Sequence, residues 1–191
     1  MGAGRDPGGD IHPEYLALIE ELRRSAPSNV KIEISGDTVI MQRPPSAIHE
    51  RNLSVVRRQF EAHAPVGYLP TGNMDLSSPQ VAKLRNPDLT YLPEDALVTT
   101  ENQVPAELAL IAVEIVSPSN PENDWVGKLR DYPLMQIPLY LLVDAARKSV
   151  TLFREPEAGR YRMREDADFG EEVHIPEPFG FVLDTSVLLP Y

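Results

Sequence analysis

The sequence predicts a mixed α/β domain in which helices pack on a curved sheet. Short runs rich in aliphatic and aromatic residues alternate with helical patterns along the 191 residues. The chain holds 19 prolines spread along its length, which favours many short elements over long helices, because proline ends helices and interrupts strands. The strongest strand pattern is the nearly continuous apolar run over residues 108–116, which is typical of a central strand covered on both faces.

The first part of the chain shows a tail, a helix pattern and a hairpin pattern. Residues 1–10 are rich in Gly and polar, which predicts a disordered tail before one domain over residues 11–191. Residues 13–25 place Leu and Ile at helical spacing and predict an amphipathic helix. Two β-rich runs at 30–34 and 38–41 flank a turn that contains Gly and predict a hairpin.

A second helix is predicted after Ser46, which serves as its N-cap. Leu53, Val56 and Phe60 form the buried stripe of this helix. Glu50 stands three residues before Leu53, on the flank of that stripe. Its carboxylate is therefore expected near the core rather than on the outer face.

The rest of the chain alternates strand patterns with one further helix pattern. The C-terminal part is β-rich and acidic, with eight acids and three arginines over residues 155–177. The predicted helices lie at 46–63 and 122–136, and the predicted strands at 66–76, 84–92, 108–116, 139–143, 149–153, 161–163, 173–175 and 181–183.

Composition excludes several classes of protein and of site. The chain has no Cys, which excludes disulfides, thiolate metal sites and a Cys nucleophile. No apolar run reaches the roughly 18 residues that a membrane-spanning helix needs. The N-terminus also lacks a signal pattern, so a cytoplasmic location without membrane contact is expected. The net charge of −11 disfavours binding to nucleic acid but does not forbid it, because the acidity is partly local.

Glu114 is the most unusual residue of the predicted core. It interrupts the apolar run of the central strand. An isolated carboxylate is costly to bury, so Glu114 must be paired, protonated or bound to a metal ion. A buried salt bridge, or a register in which Glu114 emerges at the end of the sheet, would explain it equally well.

Asp88 is a second acidic residue at a predicted strand, directly after Pro87, which restricts the backbone before it. Taken alone, Asp88 fits a turn aspartate that bonds to its own backbone. If the strands of Asp88 and Glu114 pair, however, both carboxylates can point at one spot. Two such hard oxygen ligands suit Mg²⁺ or Mn²⁺, and such an ion can activate water and stabilise charge on a phosphodiester.

Three segments, in this order, carry a resemblance to a known family: Asn86–Tyr91 (NPDLTY), Ala112–Ser119 (AVEIVSPS) and Asp124–Asp144, which contains KLRDY and IPLYLLVD. In combination they resemble the Uma-type "putative restriction endonuclease" family, a bacterial branch of the PD-(D/E)XK nuclease superfamily. The resemblance covers roughly residues 28–190. It implies a restriction-endonuclease-like core, with a curved central sheet flanked by helices and a Mg²⁺-dependent site for phosphodiester hydrolysis.

The resemblance implies metal ligands at Asp88 and Glu114, with the backbone carbonyl of Ile115 completing the metal shell. It also implies that Glu50 matches the upstream helical acid of many superfamily members, as a further ligand or a base. A solvated glutamate on the flank of the helix explains Glu50 equally well.

The chain departs from the superfamily motif at the lysine, which is expected two residues after Glu114, where Val116 stands. Lys128, on the following helix, is the expected substitute and would position the attacking water and offset negative charge. A surface ion pair is the alternative for Lys128, because Asp124 and Asp131 lie about one turn away on either side.

The sequence thus supports two hypotheses of different class. The first is a Mg²⁺-dependent endonuclease that acts on DNA as a homodimer, since a symmetric pair suits cuts on both strands. The second is a nuclease-fold protein that no longer cuts and acts as a binding or regulatory module, which Val116 and the acidic net charge favour. Tyr132, one turn beyond Lys128, is expected to pack rather than to support the site.

Overall fold

The computed structural model describes residues 17, 21–22, 24–25, 31–35, 38–42, 45–72 and 74–191. The tail predicted over residues 1–10 therefore lies outside the described residues. So does most of the helix predicted over 13–25, although the five residues of it that are described are helical.

The described part of the chain contains thirteen strands and two main helical segments. The helical segments are α1 (Ala47–Glu61) and α2 (Leu129–Leu134), and α2 continues directly from a π-helical segment (Asn123–Lys128). The strands are β1 (Lys31–Ser35), β2 (Thr38–Gln42), β3 (Tyr68–Thr71), β4 (Asp75–Ser78), β5 (Lys83–Arg85), β6 (Leu89–Pro93), β7 (Gln103–Pro105), β8 (Ala112–Ile115), β9 (Leu139–Asp144), β10 (Ser149–Glu157), β11 (Arg160–Asp168), β12 (Glu172–Ile175) and β13 (Phe181–Asp184).

The strands form two larger sheets and a separate hairpin. The first sheet has the order β2-β1-β5-β4-β7, and the second has the order β11-β10-β9-β8-β6-β3. Neighbouring strands pair antiparallel, except that β4 with β7 and β8 with β9 pair parallel. Strands β12 and β13 form the separate hairpin. The hairpin predicted over residues 30–41 is confirmed as β1 and β2.

The second sheet is covered on both faces, as the apolar run of its central strand predicts. Along β8, Val113 faces a core that also holds Phe60 of α1, whereas Ala112 faces a second core that holds Tyr132 of α2. Since successive side chains of a strand point to opposite faces, Glu114 shares the α2 face with Ala112. The predicted mixed α/β class is confirmed, with more sheet than helix.

Helix α1 begins and packs as predicted. The side-chain hydroxyl of Ser46 accepts a hydrogen bond from the backbone N–H of His49 at 3.2 Å, which is the N-cap arrangement. Val56 and Phe60 are fully buried and Leu53 is partly buried. The apolar stripe therefore places α1 on one face of the second sheet.

Four predicted elements differ in the structure. The strands predicted over 66–76 and 84–92 are each divided between the two sheets, the first as β3 and β4 and the second as β5 and β6. Strand β8 is shorter than the apolar run over 108–116, because residues 106–108 form a 3₁₀ turn closed by the Ala109 N–H on the Ala106 carbonyl at 3.0 Å. A continuous apolar run indicates burial but does not separate a strand from a buried turn. The helix predicted over 122–136 is present, but its first part is π-helical, a geometry that often occurs at functional sites.

In the part of the chain that is described, no helix is both long and apolar enough to cross a membrane.

Candidate active site

Asp88 stands directly before β6 and lies beside the end of β8, the strand that carries Glu114. Strands β6 and β8 pair antiparallel with Leu89 opposite Val113, so Asp88 and Glu114 each stand one residue beyond this pair. The backbone N–H of Ile115 donates to Asp88 Oδ2 at 3.0 Å. The Asp88 carboxylate is therefore held at the residue that follows Glu114.

Glu114 is buried, and each of its carboxylate oxygens has a partner from the helical segments. Lys128 Nζ lies 2.7 Å from Oε2, and the Tyr132 hydroxyl donates to Oε1 at 2.5 Å. The expectation that Tyr132 only packs is therefore wrong. Burial and the charge of Glu114 raise the pKa of Tyr132 well above its ordinary value, so the hydroxyl keeps its proton and stays a donor.

Lys128 is 1% exposed and lies among three carboxylates. Its Nζ is 2.7 Å from Glu114, 3.2 Å from Asp124 and 3.4 Å from Glu33. Burial alone would lower the pKa of Lys128, but the charges of Glu114, Glu33 and Asp124 outweigh it, so the pKa is raised well above its ordinary value. The surface ion pair that the sequence left open is excluded, because the pair with Asp124 is buried.

Asp124 is a buried acid close to other acids of the cluster. Burial raises the pKa of its carboxyl, and the charges of Asp88 and Glu33 raise it further, against the opposing effect of Lys128. The charge of Lys128 does not outweigh these effects at Asp124. The sequence indicates Asp124 only as a surface partner of Lys128, whereas the structure places it in the buried cluster.

His49, rather than Glu50, is the residue of α1 that contacts Asp88. His49 Nε2 lies 3.0 Å from Asp88 Oδ2, whereas the Glu50 side chain is 57% exposed. The expectation that Glu50 lies near the core is therefore wrong. The apolar stripe predicts that His49 faces the core, because His49 stands four residues before Leu53 and seven before Val56 on the same face of the helix.

A second buried ion cluster, which no sequence pattern indicates, adjoins the first. Arg85 has no exposed surface and pairs with Glu33 at 3.0 Å and with Asp131 at 2.6 Å. Asp131 therefore pairs with Arg85. The surface-pair alternative required it to pair with Lys128 instead. Glu33 alternates with apolar residues on β1, and a lone acid in a strand usually indicates a solvated face, so the sequence held no signal for its burial.

The donor set of this cluster fits a divalent cation. Asp88, Glu114 and Asp124 offer carboxylate oxygens, which are the ligands that Mg²⁺ and Mn²⁺ prefer. Within the described residues, no three His, Asp or Glu side chains already form a metal-ligand group. Mg²⁺ commonly takes only one or two carboxylates and completes its shell with water and substrate phosphates, so the two strand acids suffice.

Val116, which stands where the superfamily motif has a lysine, is 2% exposed and packs in the apolar core on the α2 face. It offers no polar group. The cation beside Glu114 therefore comes from the helical segment, as Lys128, and not from the strand.

Comparisons with known proteins agree with this fold. Residues 13–186 match the family described as "Uma2: Putative restriction endonuclease". No match was found among proteins of curated function. The fold is similar to a crystal structure of a "putative nuclease belonging to DUF820" from Anabaena variabilis ATCC 29413, with a TM-score of 0.69 and 16% identity, over 90% of this chain and 96% of that chain. At that identity the likeness shows the fold alone, whereas the family match spans most of the sequence. This chain belongs to the Uma2 family.

Proposed function

We propose that this protein is a metal-dependent endonuclease that hydrolyses phosphodiester bonds of nucleic acid, with DNA as its substrate. The observation that carries the proposal is the Lys128 ammonium 2.7 Å from the Glu114 carboxylate, beside an Asp88 carboxylate that the backbone N–H of Ile115 holds. Two acids and a cation that converge from separate segments suit phosphodiester hydrolysis. Membership of the Uma2 family, and the nuclease name of a similar structure, support the same function.

The proposed cofactor is Mg²⁺ or Mn²⁺, with Asp88, Glu114 and the backbone carbonyl of Ile115 as the protein's ligands. When bound, such an ion would polarise a phosphoryl oxygen and make water a better nucleophile. The Ile115 N–H bonds to Asp88, so the strand end that carries this carbonyl is held against the aspartate. The Tyr132 hydroxyl on Glu114 fixes the direction of the second carboxylate.

Lys128 acts as a fixed positive charge and a hydrogen-bond donor. Because its pKa is raised well above the ordinary lysine value, it stays protonated at neutral pH and does not serve as a base. Its ammonium would hold the attacking water and offset the negative charge that develops on the phosphate. Lys128 thus takes the role of the motif lysine that Val116 cannot fill.

Two further parts of the proposal concern assembly and Glu50. Residues 11–191 would form one domain, and two copies would act as a homodimer, since a two-fold pair presents one site to each DNA strand. Glu50, exposed and 3.6 Å from His49 Nδ1, is not needed for the two-carboxylate site and serves below as a control.

The test is a cleavage assay with the purified protein on supercoiled DNA, single-stranded DNA and RNA, each with Mg²⁺, Mn²⁺ or EDTA. The variants Asp88→Asn and Glu114→Gln each remove one charge at nearly constant size. We expect each to lower the cleavage rate by about 100-fold or more, because several kcal/mol of transition-state stabilisation would be lost. Glu50→Gln is the matched control and should leave cleavage unchanged.

If Asp88→Asn and Glu114→Gln cut as fast as the wild type, the activity belongs to another site or to a contaminant, and the proposal is refuted. A wild type that binds nucleic acid but cuts none of the substrates would instead favour a nuclease-fold binding module. Ion binding can be followed separately, because Trp125 is the only Trp of the chain and is adjacent to Asp124. Quenching of its fluorescence by Mn²⁺ should weaken strongly in Asp88→Asn.

A further inference from the structure

Glu33 is a fully buried acid whose two carboxylate oxygens are both occupied. Its Oε1 accepts the backbone N–H of Asn86 at 3.1 Å and lies 3.4 Å from Lys128 Nζ. Its Oε2 accepts Arg85 NH1 at 3.0 Å and Asn123 Nδ2 at 3.1 Å. One side chain of the first sheet thus makes four polar contacts with other segments of the chain.

These contacts reach both halves of the proposed site. Asn86 stands two residues before Asp88, on the segment that leads into β6. Asn123 and Lys128 are the first and last residues of the π-helical segment. Because Glu33 bonds to the segments on both sides, its carboxylate fixes the position of the lysine relative to the aspartate.

Glu33 is ionised in this environment. Burial alone would raise its pKa, but the charges of Lys128 and Arg85, with hydrogen bonds from Asn123 and Asn86, outweigh burial and lower the pKa. The ammonium of Lys128 therefore has this buried anion within 3.4 Å, in addition to Glu114 at 2.7 Å and Asp124 at 3.2 Å. Each further carboxylate restricts the rotation of the ammonium about its flexible stem.

We infer that Glu33 is a positioning residue of the proposed nuclease site: its carboxylate holds the Lys128 ammonium beside Glu114 and joins the lysine-bearing helix to the strand end that carries Asp88. The inference rests on the proposed function. Glu33 does not touch substrate in this role. It acts through Lys128, and the displacement of a catalytic group by about 1 Å can cost on the order of 100-fold in rate.

The test compares Glu33→Gln with a matched control, Asp131→Asn. Both acids are fully buried and both pair with Arg85, but the other ion pairs of Asp131 are made with Lys83 and Arg130. Both variants should lower the Tm. Only Glu33→Gln should lower kcat, by about 10-fold or more with little change in KM, because of the two acids only Glu33 contacts Lys128.

Glu33→Asp provides a milder variant if the neutral one does not fold. It keeps the negative charge for Arg85 but withdraws the carboxylate by one methylene group, so kcat should fall less than in Glu33→Gln and the fold should persist. A wild-type kcat in Glu33→Asp together with equal kcat values in Glu33→Gln and Asp131→Asn would overturn the inference while leaving the proposed function intact.

A second measurement separates failure of the inference from failure of the proposed function. If the wild type cuts no substrate, the proposed function fails, but the contact can still be measured through the Tm of Glu33→Gln, Lys128→Met and the double variant. Because the two changes remove one shared contact, the decrease in Tm of the double variant should be clearly smaller than the sum of the decreases in the two single variants. Additive losses would show that Glu33 does not hold Lys128.

Discussion

Replacing Lys128 by Met tests the buried cluster most directly. The Lys128→Met change removes an ammonium that lies 2.7, 3.2 and 3.4 Å from the carboxylates of Glu114, Asp124 and Glu33, and it keeps an unbranched apolar stem. All three acids are buried, so water cannot replace the lost cation. Removing one partner of a buried ion pair costs about 3–5 kcal/mol, which corresponds to roughly 6–20 °C in Tm for a chain of this size.

The destabilisation should depend on pH in a definite direction. The pKa of Lys128 is raised, so its contribution to stability is fully present below the ordinary lysine pKa and is lost only as the pH rises through the raised value. The pKa of Glu33 is lowered, so its contribution is present above the ordinary glutamate pKa and is lost as the pH falls through the lowered value. The difference in free energy of unfolding between wild type and Lys128→Met should therefore be largest near neutral pH and shrink in acid.

The assay is thermal and urea unfolding followed by circular dichroism, with and without Mn²⁺. Arg57→Met is the matched control, because Arg57 pairs with Glu61 at the same i,i+4 spacing at 2.8 Å but is 48% exposed, so its loss should cost about 0.5 kcal/mol or less. Mn²⁺ should raise the Tm of Lys128→Met more than that of the wild type, since the freed carboxylates can bind the ion. Equal Tm values for Lys128→Met and Arg57→Met would refute the burial of this charge cluster.

Three further predictions concern single contacts of the site and the core. His49→Ala removes the contact with Asp88 Oδ2 and should weaken Mn²⁺ binding about 10–100-fold, as loss of a group that orients a metal ligand does; unchanged affinity in a Mn²⁺ titration would contradict this. Tyr132→Phe removes a donor to the Glu114 carboxylate and should lower the free energy of unfolding in urea by about 1.5–3 kcal/mol. Tyr91→Phe removes a buried hydroxyl that has no hydrogen-bond partner among the described residues, so stability in the same assay should stay equal or rise by up to about 1 kcal/mol, and a clear loss would show that the hydroxyl has a partner.

The periodic elements were predictable because burial imposes a repeat on the sequence. The stripe of α1 and the apolar run of β8 each follow from the geometry of a single element against a core. The 3₁₀ turn over 106–108 and the π-helical segment over 123–128 were not predictable, because they bury the same residue types as the regular elements that were expected. A local sequence pattern indicates which side chains are buried, but not which backbone conformation places them in the core.

A residue of the candidate site was predictable from sequence where its own position broke the local pattern. An acid inside an apolar strand, as at Glu114, is visible in sequence because its burial requires compensation. The burial of His49 could also have been predicted, since His49 continues the apolar stripe of α1. Glu33 and Arg85 were not, because each looks like an ordinary charged residue of a short strand, and only the packing of the first sheet against the π-helical segment removes both from water.

The sequence by itself determined the α/β class and the strand at the centre of the sheet, since both depend on local patterns. It also identified Asp88, Glu114 and Lys128 as candidate site residues, through their local pattern or the resemblance. Tertiary structure alone decided which charges meet. A carboxylate and an ammonium affect each other only within a few ångströms and away from water, and that condition arises when two strands, a helix and a neighbouring sheet close around them.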